Sequence, residues 1–219
     1  MNPRYQDVTE TLRTAYDGAV EHRDRLEKAP WKITERAGFL RRLRDDGCRR
    51  LLELGAGTGQ DSAFFAGHGL QVVATDLSPQ MVARCREKGL DARVMDFLHL
   101  DFPDGSFDAV YALNCLLHVP NADLPAVLEI IASVLRPGGL FFLGVYGRDA
   151  AEEGPLDDGV HDPPRFFSWR TDEQIQQFAG RCFDSVDFHV VGLGQLHFQS
   201  LTLRRPAGVE PRPAGLEPG

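Results

Sequence analysis

Arg50-Leu51-Leu52-Glu53-Leu54-Gly55-Ala56-Gly57-Thr58-Gly59 carries apolar residues into a carboxylate and then into three alternating glycines. Further on, Val72-Val73-Ala74-Thr75-Asp76 ends a second short apolar run in another carboxylate. A strand, a glycine turn, a helix and a second strand closing on an acid make a nucleoside-binding half of an α/β sheet. The spacing narrows the ligand. A dinucleotide fingerprint is G-x-G-x-x-G, whereas this stretch reads G-x-G-x-G and puts Gln60 where the third glycine would stand. It points away from NAD and towards another adenosine-containing ligand.

The 219 residues suffice for one well-cored domain with an appendage. With 42% hydrophobic and 26% charged residues, the composition is that of a soluble globular protein. No apolar run approaches the roughly 20 residues of a membrane-spanning helix. The polar, mixed-charge start of the chain does not read as a signal peptide. Cys48, Cys85, Cys115 and Cys182 lie far apart without a C-x-x-C pair, so a reducing cytoplasm is expected. The net charge of −8 argues against a nucleic-acid surface. Residues 1–50 are nevertheless basic, with 12 Lys and Arg against 9 Asp and Glu. A solvated helical face accounts for that excess, and an RNA contact is the alternative.

Apolar spacing predicts a helix over 4–28, interrupted by Pro30, and a second over 34–44. Strands are expected at 50–54, 71–76, 92–95, 107–112 and 139–146. Helices are expected at 60–67, 79–88 and 123–135, with a possible turn of helix at 115–118. Ser78-Pro79 is a helix start, a capping serine before a proline at the first helical position. Arg136-Pro137-Gly138-Gly139 breaks the chain before the fifth strand. Residues 147–165 show no periodicity and read as a lid or disordered insert. Thr171-Asp172-Glu173-Gln174 is a T-x-x-Q capping box opening a helix to about Arg181. Strands near 183–191 and 197–204 then form an antiparallel edge pair. The expected domains are an N-terminal helical cap (1–49), a core (50–205) and a disordered tail (206–219) rich in Pro and Gly.

In register, these segments resemble the class I S-adenosylmethionine-dependent methyltransferases. The Glu53–Gly59 stretch looks like the family's first motif, and Asp76 sits at the end of the second strand. Asp96-Phe97 follows the third strand, Phe107-Asp108-Ala109-Val110 opens the fourth, and Leu116-Leu117-His118-Val119 follows it. Leu135-Arg136-Pro137-Gly138-Gly139 precedes the fifth. The resemblance covers residues 50–146 best. It implies a Rossmann-like, mostly parallel seven-stranded sheet with an antiparallel edge hairpin, helices on both faces and an N-terminal helical cap.

The resemblance also implies a set of site residues. Gly55, Ala56, Gly57 and Gly59 let backbone N–H groups approach the cofactor's amino-acid portion, which Glu53 helps to hold. Asp76 accepts both ribose hydroxyls in charge-assisted bonds. Asp96 accepts from the adenine amine with Phe97 beside the base, and Leu77 and Met81 pack on it. Met81 also reads as a plain core residue. Asn114 and Cys115 end the fourth strand near the sulfonium. Asp108 reads as structural, closing the turn after Gly105-Ser106.

The implied reaction moves a methyl group from S-adenosylmethionine, leaving S-adenosylhomocysteine, to an O, N or C atom of a small molecule. Alignment can supply roughly 7–11 kcal/mol of such a displacement. A general base is needed only for an acceptor protonated at neutral pH. His118 is the base candidate, with a packed or capping histidine as the alternative, and His161 is a second candidate. Tyr16-Asp17, with Arg23-Asp24 after it, resembles a Tyr-Asp pattern whose tyrosine covers the cofactor, which makes Tyr16 a catalytic candidate. No metal-ligand set assembles, so no metal is expected. Trp31, His118, Tyr146, Phe166, Phe167 and Trp169 are the candidates for contacting a flat or apolar acceptor. Acids in the 147–165 segment suggest either a solvated loop or a preference for a cationic amine. Methylation of RNA or protein, and a binding protein without turnover, are the competing functions. A monomer or homodimer without a membrane or nucleic-acid partner is expected.

Overall fold

The structure is a computed structural model that describes residues 3–194 and 196–208. Strand β1 (Arg50–Leu54) lies at its centre, paired in parallel with β2 (Gln71–Asp76) on one side and β4 (Phe107–Leu113) on the other. Strand β3 (Asp91–Val94) flanks β2, and β5 (Leu135–Gly147) flanks β4, both in parallel. Beyond β5, β9 (Leu196–Arg204) runs antiparallel to both β5 and β8 (Asp184–Leu193). The sheet order β3-β2-β1-β4-β5-β9-β8 reverses direction of growth between β1 and β4. Ligands of open α/β sheets bind in the crevice at the carboxyl ends of strands at such a reversal.

Both faces are covered. Buried residues of α1 (Tyr5–Asp17) and α6 (Leu124–Val134), with Ile175 and Ala179 of α7 (Asp172–Ala179), join one core with Leu52, Val110 and Leu143. On the other face, Phe39 and Leu43 of α3 (Pro30–Asp45) and Phe65 of α4 (Gln60–Gly67) pack with Leu51, Tyr111 and Phe142. Each central strand is thus buried on both sides, as its continuous apolar run requires.

Local signals materialise. Ser78 Oγ accepts from the Met81 N–H at 3.1 Å to open α5 (Pro79–Glu87). Thr171 and Gln174 exchange both bonds of the capping box. Asp108 is structural, but its carboxylate accepts from the N–H groups of Arg49 and Arg50 and from Arg136 Nε rather than closing its own turn.

Three expectations fail. The helix over 4–28 is two helices, α1 and α2 (Val20–Arg25), parted at Gly18-Ala19. Pro30 does not interrupt a helix but begins α3, where its fixed φ is favourable and its missing N–H costs nothing. Residues 147–165 are no featureless insert. Strands β6 (Glu152–Leu156) and β7 (Arg165–Trp169) form an antiparallel ribbon. Pro155 is tolerated there because a two-stranded ribbon consists of edges. A cis peptide precedes Pro163 in its loop. The Arg136–Gly139 break lies within β5, where the pairing to β4 shifts from Phe107–Leu135 to Ala109–Leu140. Of the expected 206–219 tail, only 206–208 fall within the described residues.

Candidate active site

The turn after β1 shapes one wall of a cleft. Gly55 has φ +62°, and a Cβ there would run into the Cys115 Cβ. At Gly59, φ +79°, a Cβ would meet Leu90 Cδ1 at 2.6 Å and Cys85 Sγ at 2.9 Å. Gly59 therefore lets α4 begin against α5 rather than lining the cleft. Gly57 differs, for nothing lies within 4 Å of where its Cβ would be. Its backbone faces open space. Asp76 accepts from the Gly57 N–H at 2.8 Å and from the Ser78 N–H at 2.9 Å, which pins the turn to the end of β2. Burial raises its pKa against the pull of those two N–H groups.

Glu53 is the buried acid beneath the turn. Its Oε2 accepts from the Ser62 hydroxyl. Burial first, and Asp61 second, push its pKa up. Asp61 is itself held by Lys28 and Arg36, each at 2.8 Å. Glu53 forms no ion pair among the described residues, so a cation entering the cleft would meet a carboxylate that gains from ionising.

The opposite wall is the end of β4. Asn114 adopts φ 53°, and both polar atoms of its buried amide make no well-formed hydrogen bond. Buried amides are ordinarily satisfied, and the Tyr146 phenol is the polar side chain close enough to Asn114 for that contact to offset part of the burial that raises the phenol's own pKa. Cys115 Sγ donates to the Leu54 carbonyl at 3.2 Å, and burial raises its pKa. Leu77 and Phe97 face the same space, with Tyr5 stacked on Phe97 at 5.7 Å between ring centroids.

Beyond Asn114 the cleft continues into a chamber roofed by β7. His118 Nδ1 lies 2.6 Å from the Phe166 carbonyl, which can only accept, so Nδ1 carries the proton. The Nε2 lone pair then takes the Tyr16 hydroxyl proton at 2.6 Å, and the Tyr16 oxygen accepts from Arg165 Nη1 at 2.8 Å. Burial pushes His118 down to about 3, with the Arg165 and Arg23 cations adding to the effect. It is neutral at physiological pH and reluctant to accept a proton. Burial likewise lowers His161, whose Nδ1 lies 2.9 Å from an Asp158 oxygen, and raises the Tyr16 phenol.

Glu53, Gly55, Ala56, Gly57, Asp76, Leu77, Phe97, Asn114, Cys115, Tyr16, His118, Tyr146 and Phe167 all line this continuous space. The rest stand aside. Met81 is fully buried and serves as core. Asp96 accepts from the Leu98 N–H at 2.8 Å and pairs with His99, and it is near the cleft without being among the residues that line it, for Phe97 next to it and Tyr5, on which its charge acts, both do. Phe166 contributes its carbonyl. Trp169 stacks behind Phe167, and Trp31 backs Tyr146 and Phe198. Lys32 and Arg165 were not singled out from the sequence, and Arg23 only as part of the pattern that follows Tyr16-Asp17, yet all three face the chamber. Arg23 and Asn114 border every part of the cleft. The acids of the 147–165 segment do not line it. Asp158 pairs with Arg165 and His161, and Glu153 accepts from the Asn121 N–H and Ser168.

A family model described as a methyltransferase domain matches residues 51–139. Methyltransferase GfsG of Streptomyces halstedii is 30% identical over 171 residues, covering 70% of this chain and 59% of that protein. The 27-O-demethylrifamycin SV methyltransferase of Amycolatopsis mediterranei is 36% identical over 129 residues, covering 54% of this chain and 46% of that protein. The chain thus spans about half the length of the curated relatives it matches. Among solved structures, the 1,6-didemethyltoxoflavin-N1-methyltransferase of Burkholderia thailandensis superposes with a TM-score of 0.75 at 21% identity, covering 94% of this chain and 92% of that one. That last likeness is one of fold.

Proposed function

This chain belongs to the class I S-adenosylmethionine-dependent methyltransferases, and from that premise we propose that it methylates an O, N or C atom of a small-molecule acceptor. One observation carries the reading. The open backbone at Gly57, the Asp76 carboxylate and the Asn114 amide, which makes no well-formed hydrogen bond, share one cleft with the Tyr16–His118 pair. The donor set fits S-adenosylmethionine. Glu53 would answer its ammonium, Asp76 its ribose, Leu77 and Phe97 its adenine, and Asn114 a polar group near the sulfur. Once bound, the cofactor supplies a methyl group on a positively charged sulfur.

The residues of the chain do the aligning. Asn114 and Cys115 form the wall between cofactor cleft and acceptor chamber, while Tyr146 and Phe167 form the chamber's aromatic surface. Tyr16 is held by two bonds, to His118 Nε2 and from Arg165, so its ring closes the boundary and limits water entry. His118 keeps its proton at Nδ1 and uses Nε2 to fix Tyr16. It acts as a positioning residue and not as the base, because burial among cations disfavours the imidazolium. Catalysis by alignment needs no triad. The unpaired cysteines support the cytoplasm as the site of action.

Calorimetry with S-adenosylhomocysteine tests the reading. Wild-type protein is expected to bind it and Gly57→Val to lose binding, since the valine side chain would enter the cleft. Asp76→Asn removes the charge and keeps one acceptor oxygen for two N–H groups that bond to different oxygens in the wild type, so it should weaken binding about tenfold or more, at least the loss of one charge-assisted bond. Undiminished binding in both variants would sink the proposal.

A further inference from the structure

The chamber beside the cofactor cleft is unusual in its charge. Arg23, Lys32 and Arg165 face it, and none of the described residues lining it is a carboxylate. Arg165 is answered by Asp158 at 2.7 Å. Arg23 and Lys32 are not, for neither forms an ion pair among the described residues. Lys32 has instead the faces of Trp31 and Tyr146, its ammonium lying 5.2 and 5.6 Å from their centroids. Arg23 rests over the Tyr16 ring. The nearby acid Asp61 is engaged by Lys28 and Arg36. Two half-buried cations therefore stand together against aromatic faces with no ion-pair partner among the described residues, and the acids that act on them, Asp76 on Arg23 and Asp61 on Lys32, do so without direct contact. Burial and the neighbouring Lys28 and Arg23 charges bring Lys32 down to about 8, a sign that the arrangement is electrostatically incomplete.

Within the methyltransferase reading, on which this rests, we propose that the acceptor is a flat organic anion, its carboxylate or ionised hydroxyl held between Arg23 and Lys32. Several features converge on it. A cofactor carrying a positive sulfur adds a third charge of the same sign, and a cationic amine in the chamber would add a fourth. An anion reverses that balance, and like-charge juxtaposition excludes the amine. Tyr146 and Phe167 supply the apolar faces that a ring requires. Where the ionised oxygen is itself the atom methylated, it takes the methyl group with no proton to surrender as the sulfur leaves in neutral S-adenosylhomocysteine, which agrees with a neutral His118 occupied by Tyr16. The acids of the 147–165 segment do not line the chamber, and Asp158 and Glu153 among them are engaged by Arg165 and by Asn121 and Ser168.

The test is calorimetry on the full chain saturated with S-adenosylhomocysteine. The probes are matched pairs, salicylate with salicylamide and picolinate with picolinamide, plus benzylamine. Each acid is expected to bind about tenfold or more tightly than its amide, about 1.4 kcal/mol, and benzylamine not to bind. Lys32→Gln should erase the acid preference while S-adenosylhomocysteine affinity changes less than about threefold, under 1 kcal/mol. Lys32→Arg should restore it, which separates charge from fold damage. If no acid outperforms its amide, or if Lys32→Gln keeps the acid preference, the inference is overturned and the methyltransferase reading stands. If wild-type protein fails to bind S-adenosylhomocysteine at all, the methyltransferase reading is what fails, and the anion site falls with it.

Discussion

Neutral, buried His118 makes the fold sensitive to mild acid. In the unfolded chain its imidazole protonates near 6.5, whereas in the fold burial holds it down to about 3. Below pH 6.5 the unfolded chain binds a proton that the folded one refuses, so stability is lost as pH falls and is fully present above that value. At about 1.36 kcal/mol per pH unit, the loss from this one group reaches roughly 2 kcal/mol at pH 5. For a domain of this size that is a fall in Tm of about 4–8 °C. Other histidines contribute, His161 in the same direction and His189 in the opposite one, because its carboxylate partners Glu35 and Asp187 outweigh the burial that lowers it. A difference measurement isolates His118. Gln at this position can accept from Tyr16 and donate to the Phe166 carbonyl without titrating. Urea unfolding of wild type and His118→Gln at pH 7 and pH 5 should show the variant losing about 2 kcal/mol less over the interval. Nitrogen chemical shifts of the imidazole should show the proton on Nδ1 and no titration between the two pH values. Equal pH slopes in the two proteins, or a His118 that titrates near 6.5, would refute the reasoning.

Two further outcomes follow from the same contacts. Asp61→Asn leaves Lys28 and Arg36 without their shared, largely buried partner, and chemical denaturation should register a loss of about 3 kcal/mol; the same change should lower the Glu53 pKa, readable by carboxyl-carbon NMR. Thr171→Ala removes one half of the capping box of α7 and should cost about 1 kcal/mol without altering S-adenosylhomocysteine affinity.

Much of this architecture is legible in the sequence where the determinant is local. The Ser78-Pro79 start and the Thr171–Gln174 box each contain their own hydrogen-bond partners within a few residues, so pattern and structure coincide, and the Gly55–Gly59 turn is legible from its positive-φ glycines although Asp76 and Thr75 of the next strand hold it. The β6–β7 ribbon is hidden because Gly154 and Pro155 mute its strand character. What anchors it, Glu153 on the Asn121 N–H and on Ser168, is long-range. The acceptor chamber is the least legible part. Arg23, Lys32 and Arg165 come from α2, α3 and β7, and only tertiary packing brings their charges together.

The central claim is that the Glu53–Asp76 cleft holds the amino-acid and ribose parts of the methyl donor. Glu53 is held towards its protonated form by burial and by Asp61, so a bound ammonium should ionise it and expel the proton. Titration of the protein with S-adenosylhomocysteine at pH 7, in buffers of different ionisation enthalpy, counts that proton directly. The account predicts release of up to about one proton per chain, abolished together with much of the affinity in Glu53→Gln. Binding without proton release, and with full affinity in Glu53→Gln, would contradict it.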